Sequence, residues 1–346
     1  MVDILLHVGA FGLALFGLSL FFRSLSRVSI LNRRSRDVIA RGLERVMLHT
    51  VQFVLKRKRS YGDAQRTMAW ALPIYLVTLI ATWFLVVQVS FTLMIWAVDA
   101  ESGWLHAFIS SGSSLSTLGF ATPKGTIGQL LAILEGAFGL GIIVFVFTFI
   151  PGYSAAIQAR EEKVSWLYGR TGIRPTICSL VDWNHRAGEG DDMTSIWNDC
   201  ERWFIDIRES HEMTPILALV PSIYPERTWV GAAAAILDAA SLSLSTLDVK
   251  GLASARLCYE AGVEALAKVA RHFPPQADPT IKTDLPGFYD AAFDRLVVAG
   301  MPLKADRAAC REAFLSLRSG YEGSVRQIAA AAFMPIDQPW VLPQEP

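Results

Sequence analysis

The sequence predicts an all-α membrane protein with three transmembrane helices, a re-entrant helix and loop between the second and third of them, and an all-helical cytosolic domain. Three observations predict this class. Hydrophobic residues make up 52% of the 346 residues and charged residues only 18%, which is too apolar for one soluble domain. Three apolar runs, each long enough to cross a bilayer, lie within residues 4–150. A hydroxyl-rich, glycine-containing segment, residues 113–122, separates the last two runs.

The first run covers residues 4–22 and predicts an N-terminal transmembrane helix over 1–22. About 19 residues at 1.5 Å rise come close to the ~30 Å hydrocarbon core of a bilayer. A signal peptide is the alternative. No basic residue precedes the run, and no small-residue cleavage site follows Arg23, so we favour an uncleaved helix.

Residues 23–67 form a basic linker, which the positive-inside rule places in the cytosol and which therefore places the N-terminus outside. Three acidic residues stand there against twelve basic ones, namely Arg23, Arg27, Arg33, Arg34, Arg36, Arg41, Arg45, Lys56, Arg57, Lys58, Arg59 and Arg66. Apolar residues at spacings of about four predict an amphipathic helix within the linker: Val38, Leu43, Met47, Val51 and Leu55. Two placements stay open for this helix, against anionic lipid headgroups or packed on the protein's own cytosolic part.

The second apolar run predicts an outer helix over residues 68–98, which is long enough to cross with tilt. A short half-apolar helix over 104–115 follows, far too short to span. The loop 116–122 comes next, and the third apolar run predicts an inner helix over 127–153. Lys124 is the only lysine or arginine between the two runs, so this connection is expected outside.

Non-helical backbone at membrane depth is tolerated only where it is buried in protein or lines a water-filled cavity, so the loop predicts a pore. Its sequence, Thr117-Leu118-Gly119-Phe120-Ala121, resembles the Thr-Val-Gly-Tyr-Gly filter of potassium channels, whose backbone carbonyls replace the hydration shell of the ion. The order of outer helix, short helix, loop and inner helix over residues 68–158 resembles the pore domain of bacterial two-transmembrane potassium channels. The order of these elements is more specific than the motif.

This resemblance implies a homotetramer in which four loops surround one axis. It also implies K⁺ sites made by the backbone carbonyls of Thr117, Leu118, Gly119 and Phe120, with the Thr117 hydroxyl. Filter glycines of this family adopt left-handed conformations, which Gly119 can do freely. Ala121 replaces the second glycine, and a side chain at positive φ costs on the order of 1 kcal/mol, so the outermost site is the weakest part of the match.

The resemblance also implies supports behind the filter, and several differ here. Phe120 replaces a tyrosine and is expected to pack behind the filter without donating a hydrogen bond. Ser113 and Thr122 stand where the family often has carboxylates. We therefore expect the buried acid Glu135 to brace the filter, protonated or hydrogen-bonded to Ser113, Ser114 or Thr117. The full set of predicted supports is Ser113, Ser114, Ser116, Thr122 and Glu135.

Two alternatives stay open for Glu135: it faces the cavity and attracts cations, or it makes a structural polar contact to the second span. The glycines of the third run, Gly136, Gly139 and Gly141, predict either a gating hinge near Gly139 or close helix packing. Pro151 and Gly152 predict the end of the inner helix or a kink in it, near a lower gate at residues 147–153.

Residues 159–346 predict a helical cytosolic domain, because helical patterns recur without alternating strands. No Gly-x-Gly-x-x-Gly, nucleophile elbow or phosphate loop occurs, so we expect no enzyme and no cofactor beyond the transported K⁺. The formal net charge is zero, so nothing in it favours a nucleic-acid partner. Four cysteines without metal-ligand spacing, Cys178, Cys200, Cys258 and Cys310, agree with a reducing compartment.

We therefore expect a channel that conducts K⁺, or prefers K⁺ among cations, passively across the plasma membrane, the inner membrane of a bacterium. The expected partners are three further copies, the lipid bilayer and an unidentified cytosolic ligand or protein. A poorly selective cation channel is one alternative, because of Ala121 and Thr122. A non-conducting membrane sensor or interaction protein that retains a degenerate pore is the other.

Overall fold

The described part of the chain consists of helices joined by turns and loops. The structure, a computed structural model, describes residues 2–29, 38–55, 61–188, 193–224, 227–249, 252–275 and 287–334. Within these ranges there is no strand, only one isolated bridge between Leu247 and Leu303. The all-helical class is therefore confirmed. The basic residues within 30–37 and 56–60, for which the sequence predicts a cytosolic location, lie outside the described ranges.

Six helices cover the first half of the chain. They are α1 Val2–Ser29, α2 Val38–Leu55, α3 Tyr61–Ala69, α4 Ala71–Ala97, α5 Trp104–Leu115 and α6 Gly125–Thr171. The predicted amphipathic helix is present as α2. The predicted outer helix is divided at Trp70 into α3 and α4, and the predicted short helix coincides with α5.

Six further helices and a short 3-10 turn are described in the second half of the chain. The helices are α7 Ser179–Arg186, α8 Thr194–Met213, α9 Trp229–Thr246, α10 Ala253–Ala270, α11 Phe288–Val298 and α12 Arg307–Ala331, and the turn is Pro215–Leu219. Thr228 caps α9, because its hydroxyl accepts a hydrogen bond from the N–H of Gly231 at 2.9 Å.

The inner helix is longer than predicted. It was expected over residues 127–153, but α6 continues through Pro151 and Gly152 to Thr171. Proline removes one backbone donor, and the remaining hydrogen bonds of a long helix hold it together on both sides. Of the two outcomes predicted for Pro151 and Gly152, the end of the helix is therefore wrong.

Among the described residues, four helices are long and apolar enough to cross a membrane by length and composition. Three of these stretches, Ile4–Ser26, Gly62–Ala97 and Gly125–Thr171, overlap the predicted spans. The fourth is α9, which is almost entirely buried among α7, α8, α10 and α12. An apolar helix enclosed by protein is a core helix, so α9 needs no membrane to cover it.

The chain divides into two compact units, Met1–His49 with Pro73–Tyr153, and Thr50–Leu72 with Ser154–Pro346. The second unit begins in α6 close to the predicted boundary at residue 159. It also takes the end of α2 and all of α3, although the sequence placed the end of α2 and most of α3 in a separate linker over 23–67.

Close contacts join the long helices of the first unit. Trp83 of α4 donates a hydrogen bond to the Ser24 hydroxyl of α1 at 3.0 Å. A Cβ atom on Gly17 would overlap the Ser90 hydroxyl, so α1 and α4 approach closely there. Aromatic rings connect both helices to α6, through Phe21, Phe22, Trp83, Phe91, Phe138 and Phe145. The extra N-terminal helix is thus an integral part of this unit.

Candidate functional site

The loop after α5 is closed at its base by the chain before α5. Lys124 donates its backbone N–H to the Ala100 carbonyl at 3.0 Å, and the Ser110 hydroxyl donates to Glu101 at 2.8 Å. Both contacts fix the segment between α4 and α5 against the elements that follow it. The twelve residues of α5 rise only about 18 Å, whereas the 27 residues of α4 rise about 40 Å. The loop therefore begins after less than half the length of α4.

Ser113 organises the loop. Its backbone carbonyl accepts hydrogen bonds from the N–H groups of Leu118 at 3.0 Å and Gly119 at 3.2 Å. Its hydroxyl accepts a third, from the N–H of Ala121, at 2.9 Å. The N–H of Thr117 turns back to the Ser114 carbonyl at 3.0 Å. Four backbone donors of the loop therefore point toward the end of α5.

The backbone conformation explains why these donors converge. Thr117 and Gly119 are in the left-handed region, with φ of 59° and 70°. A left-handed residue beside ordinary ones gathers successive N–H groups around one acceptor, here the Ser113 carbonyl. Gly119 is left-handed as the sequence predicts, but the second such residue is Thr117 and not Ala121. The steric cost of about 1–2 kcal/mol thus falls on Thr117.

The backbone carbonyls of the loop are uncommitted. Among the described residues, no hydrogen bond ends on the backbone oxygens of Thr117, Leu118, Gly119 or Phe120. The negative end of the α5 dipole lies directly before these oxygens. Uncommitted carbonyl dipoles beside a helix C-terminus form an environment that favours a cation.

Two apolar side chains of the loop are exposed within one chain. Phe120 is 70% exposed and Leu118 is 71% exposed, so the predicted packing of Phe120 behind the filter stays a prediction. Neither ring nor methyl groups find enough apolar surface on their own subunit. This exposure leaves both side chains for another molecular surface.

The predicted supports have unequal roles. Ser113 is fully buried and holds the loop directly. The hydroxyls of Ser114 and Ser116 donate to carbonyls one turn earlier in α5, so they stabilise the end of that helix. Thr122 is exposed. Of these four side chains, only that of Ser113 accepts a hydrogen bond from the backbone of residues 117–122 among the described residues.

Glu135 contacts α5, but at a different residue from those predicted. Its side chain is fully buried, and its Oε1 lies 2.5 Å from the hydroxyl of Ser111, not beside Ser113, Ser114 or Thr117. The register of the two helices explains the difference. Gly139 of α6 lies against Leu115 of α5. Glu135 is four residues before Gly139, and Ser111 is four residues before Leu115, so these two residues meet one turn earlier along both helices. The acid therefore meets α5 one turn before the loop.

Gly136, Gly139 and Gly141 of α6, for which the sequence predicts a hinge or close packing, are not equivalent. A Cβ atom on Gly139 would overlap the Leu115 carbonyl oxygen, and one on Gly136 would lie 3.4 Å from that of Ser114. Gly141 has nothing within 4 Å of such an atom. Close packing, one of the two predicted roles, thus accounts for Gly139. Pro151 and Gly152 are exposed within the continuous helix.

Substitution of Ser113 tests whether its hydroxyl holds the loop. Ser113→Ala removes the acceptor of the Ala121 N–H, and one such buried hydrogen bond is worth about 1 kcal/mol. We therefore expect the free energy of unfolding of the full chain in detergent to fall by about 1 kcal/mol, measured by denaturant unfolding. Ser116→Ala is the matched comparison, because that hydroxyl bonds only its own helix, and its effect should be clearly smaller. Equal effects of the two variants would remove Ser113 from its bracing role.

The second unit contains a buried polar cluster that the sequence did not predict. Arg160 of α6 is 1% exposed, pairs with Glu161 at 2.8 Å, and donates to the carbonyls of Leu217 and Val220 at 2.9 Å each. Its Nη1 faces Nε2 of His211 at 3.4 Å. The continuation of α6 is thus anchored to the 3-10 turn by fully paired groups, as buried charges require.

His211 of this cluster is held neutral. Burial, together with the neighbouring Arg160 guanidinium, holds the pKa of His211 well below its usual range. Nε2 accepts from the guanidinium, while Nδ1 lies 2.8 Å from the Ser210 hydroxyl. A proton on Nδ1 fits both contacts, and a second proton on Nε2 would face a cation.

Acid should therefore destabilise the second unit. Because the pKa of His211 is lower in the folded chain, the unfolded chain binds more protons, and the free energy of unfolding falls as the pH drops below about 6.5. The contribution of this one residue reaches at most about 1.4 kcal/mol per pH unit. Denaturant unfolding of the full chain in detergent, followed by tryptophan fluorescence, measures the slope. His211→Gln should flatten it and the exposed His49→Gln should not; an unchanged slope in His211→Gln would contradict the assignment.

Comparison of the chain with protein-family models, with curated proteins and with solved structures finds no match. We therefore interpret the loop from its own geometry. Sequence reasoning missed Ser111 and the Arg160 cluster. The signal for Arg160 was its place in a charged run, which is typical of a solvated linker and says nothing of burial.

Proposed function

We propose that the protein is a passive cation channel of the two-transmembrane potassium-channel type, with K⁺ as the preferred ion. The observation that carries the proposal is the polarity of the loop. Its N–H groups are committed to Ser113 and Ser114, whereas the carbonyls of residues 117–120 are open among the described residues. Ser113 thus holds the donors away from the side that an ion would approach.

The apolar surface of the first unit supports a membrane location. Large apolar side chains on all three long helices are more than half exposed, for example Ile4 at 69%, Val77 at 66% and Phe147 at 77%. Water would disfavour a surface of this kind, and lipid covers it without cost. The basic residues between α1 and α4 then face the cytosol, with the N-terminus outside and residues 159–346 inside the cell.

The open loop supports assembly into a homotetramer. A single loop offers carbonyls on one side of an ion only, while a cation stripped of water needs oxygens all around it. Four copies around an axis close that shell. The same arrangement gives the exposed Leu118 and Phe120 a neighbouring subunit to pack against.

The chemistry of conduction then needs no catalyst. A cation that leaves water loses many kcal/mol of hydration, which dense carbonyl dipoles replace. The C-terminal ends of four α5 helices add negative potential at the loop. Thr117 is the first residue of the row after α5, and its hydroxyl supplies a further oxygen ligand there.

Ion flux through the full chain reconstituted in lipid vesicles tests this proposal. We expect flux of K⁺, less of Na⁺ and none of Cl⁻, from a species whose mass in mild detergent is that of four chains. Equal flux of K⁺ and Na⁺ would reduce the proposal to a poorly selective cation channel. A tetramer without flux would favour a non-conducting membrane sensor, and a monomer or dimer would contradict every channel interpretation.

A further inference from the structure

Three helices of the first unit meet at one serine hydroxyl. Ser111 of α5 lies 3.0 Å from the backbone carbonyl of Gln88 in α4 and 2.5 Å from Glu135 in α6. Ser111 and Glu135 are both fully buried. The second carboxyl oxygen of Glu135, Oε2, has no hydrogen-bond partner among the described residues.

The hydroxyl has one hydrogen for two oxygen neighbours. The Gln88 carbonyl can only accept, so both contacts are hydrogen bonds only when Glu135 carries a proton and donates it to Ser111. If Glu135 were a carboxylate, one of the two contacts would lack a hydrogen. The ion would then be buried with a single donor.

Among the described residues, no cation on the three helices of this junction pairs with Glu135. Neither α4 nor α6 from Gly125 to Ile150 contains a lysine, arginine or histidine. In α5 the only titratable residue is His106, which is exposed. A buried carboxylate without a partner costs far more than a neutral acid with one unpaired oxygen.

We infer that Glu135 is a neutral carboxylic acid that positions α5, through Ser111, against α4 and α6. The acid lies one turn before the contact of Gly139 with Leu115, which is the last residue of α5. The junction therefore fixes the height and rotation of the helix from which the loop emerges. Glu135 is a positioning residue, and it does not face an ion pathway as a charge. Its proton follows from the hydrogen-bond geometry, while the effect on ion flux rests on the proposed function.

Infrared spectroscopy of the full chain in lipid tests the proton directly. Glu135→Gln is the matched variant, because its amide donates to Ser111 as the acid does but has no carboxyl group. We expect the spectrum of the parent minus that of Glu135→Gln to contain a carboxylic-acid C=O band at neutral pH. Carboxylate bands in its place would overturn the inference. This readout needs no conduction, so it stands apart from a failure of the proposed function.

Flux and thermal stability test the positioning role. Glu135→Gln should conduct within about twofold to threefold of the parent, whereas Glu135→Ala should lose about tenfold, since it leaves Ser111 without its partner. The single variant Ser111→Ala and the double variant Ser111→Ala with Glu135→Ala should lower the melting temperature equally. The two residues act as one unit, so the second substitution removes no further interaction. Equal loss in Glu135→Gln and Glu135→Ala, or additive effects of the two alanine changes, would contradict the role of the pair.

Discussion

Gly119→Asp should abolish cation flux, while Gly125→Asp should conduct like the parent. The two glycines have the same backbone conformation, with φ of 70° and 73°, and a Cβ atom on either would meet nothing within 4 Å. The steric cost of about 1–2 kcal/mol is therefore the same for both substitutions. Only Gly119 lies in the row of open carbonyls, where four carboxylates around one axis would bind a cation too tightly to release it and would block the passage.

This pair separates a pore from a fold defect. Vesicle flux measures conduction, and the melting temperature and assembly state of each variant measure folding. Gly125 opens α6, where an aspartate also interacts favourably with the helix dipole, so Gly125→Asp should fold at least as well as Gly119→Asp. Full flux through tetrameric Gly119→Asp would show that ions do not pass the loop, and loss of flux in both variants would trace the effect to the backbone instead.

Gly139→Ala and Gly141→Ala should change stability in opposite directions. A methyl group at Gly139 would overlap the carbonyl oxygen of Leu115, so α5 must move away from α6. Overpacking of this kind costs about 1–3 kcal/mol, and the displaced helix carries the loop with it. At Gly141 the methyl group meets nothing, and alanine is better than glycine inside a helix by up to about 1 kcal/mol.

Thermal unfolding and flux together decide between packing and hinge. We expect Gly139→Ala to melt at a lower temperature and to lose most of its flux, while Gly141→Ala melts at the same or a higher temperature and conducts. If Gly139→Ala is stable and only its gating changes, then the flexibility of Gly139 matters more than its lack of a side chain. Reduced flux in Gly141→Ala without loss of stability would instead move the hinge to that residue.

The sequence predicted the elements whose signal is local. The short helix over 104–115 begins after Gly103 and ends at Leu115, where the hydroxyl-rich segment loses its apolar period. The left-handed conformation of Gly119 was also predictable, because glycine adopts it without steric cost. The long apolar runs were equally clear, since hydropathy and length need no knowledge of neighbours.

The remaining features depend on how helices pack, which hydropathy does not encode. Glu135 was recognisable as the only acid in the third run, but its partner depends on the register of α6 against α5, and the residue pattern contains no measure of that register. Likewise, the membrane-like hydropathy of α9 does not show that protein surrounds it. Ser113 bonds a residue eight positions away through a loop conformation that includes a left-handed Thr117, which is unfavourable for a β-branched residue.

The proposed channel requires that the carbonyls of residues 117–120 bind the permeating cation. That cation can be located: the full chain is assembled in lipid or detergent, K⁺ is exchanged for Tl⁺, and the anomalous scattering of Tl⁺ is mapped. We expect Tl⁺ on an axis shared by four chains, at the height of the Thr117 to Phe120 carbonyls, and none there in Gly119→Asp. Tl⁺ absent from a well-ordered loop, or loops that do not surround a common axis, would contradict it.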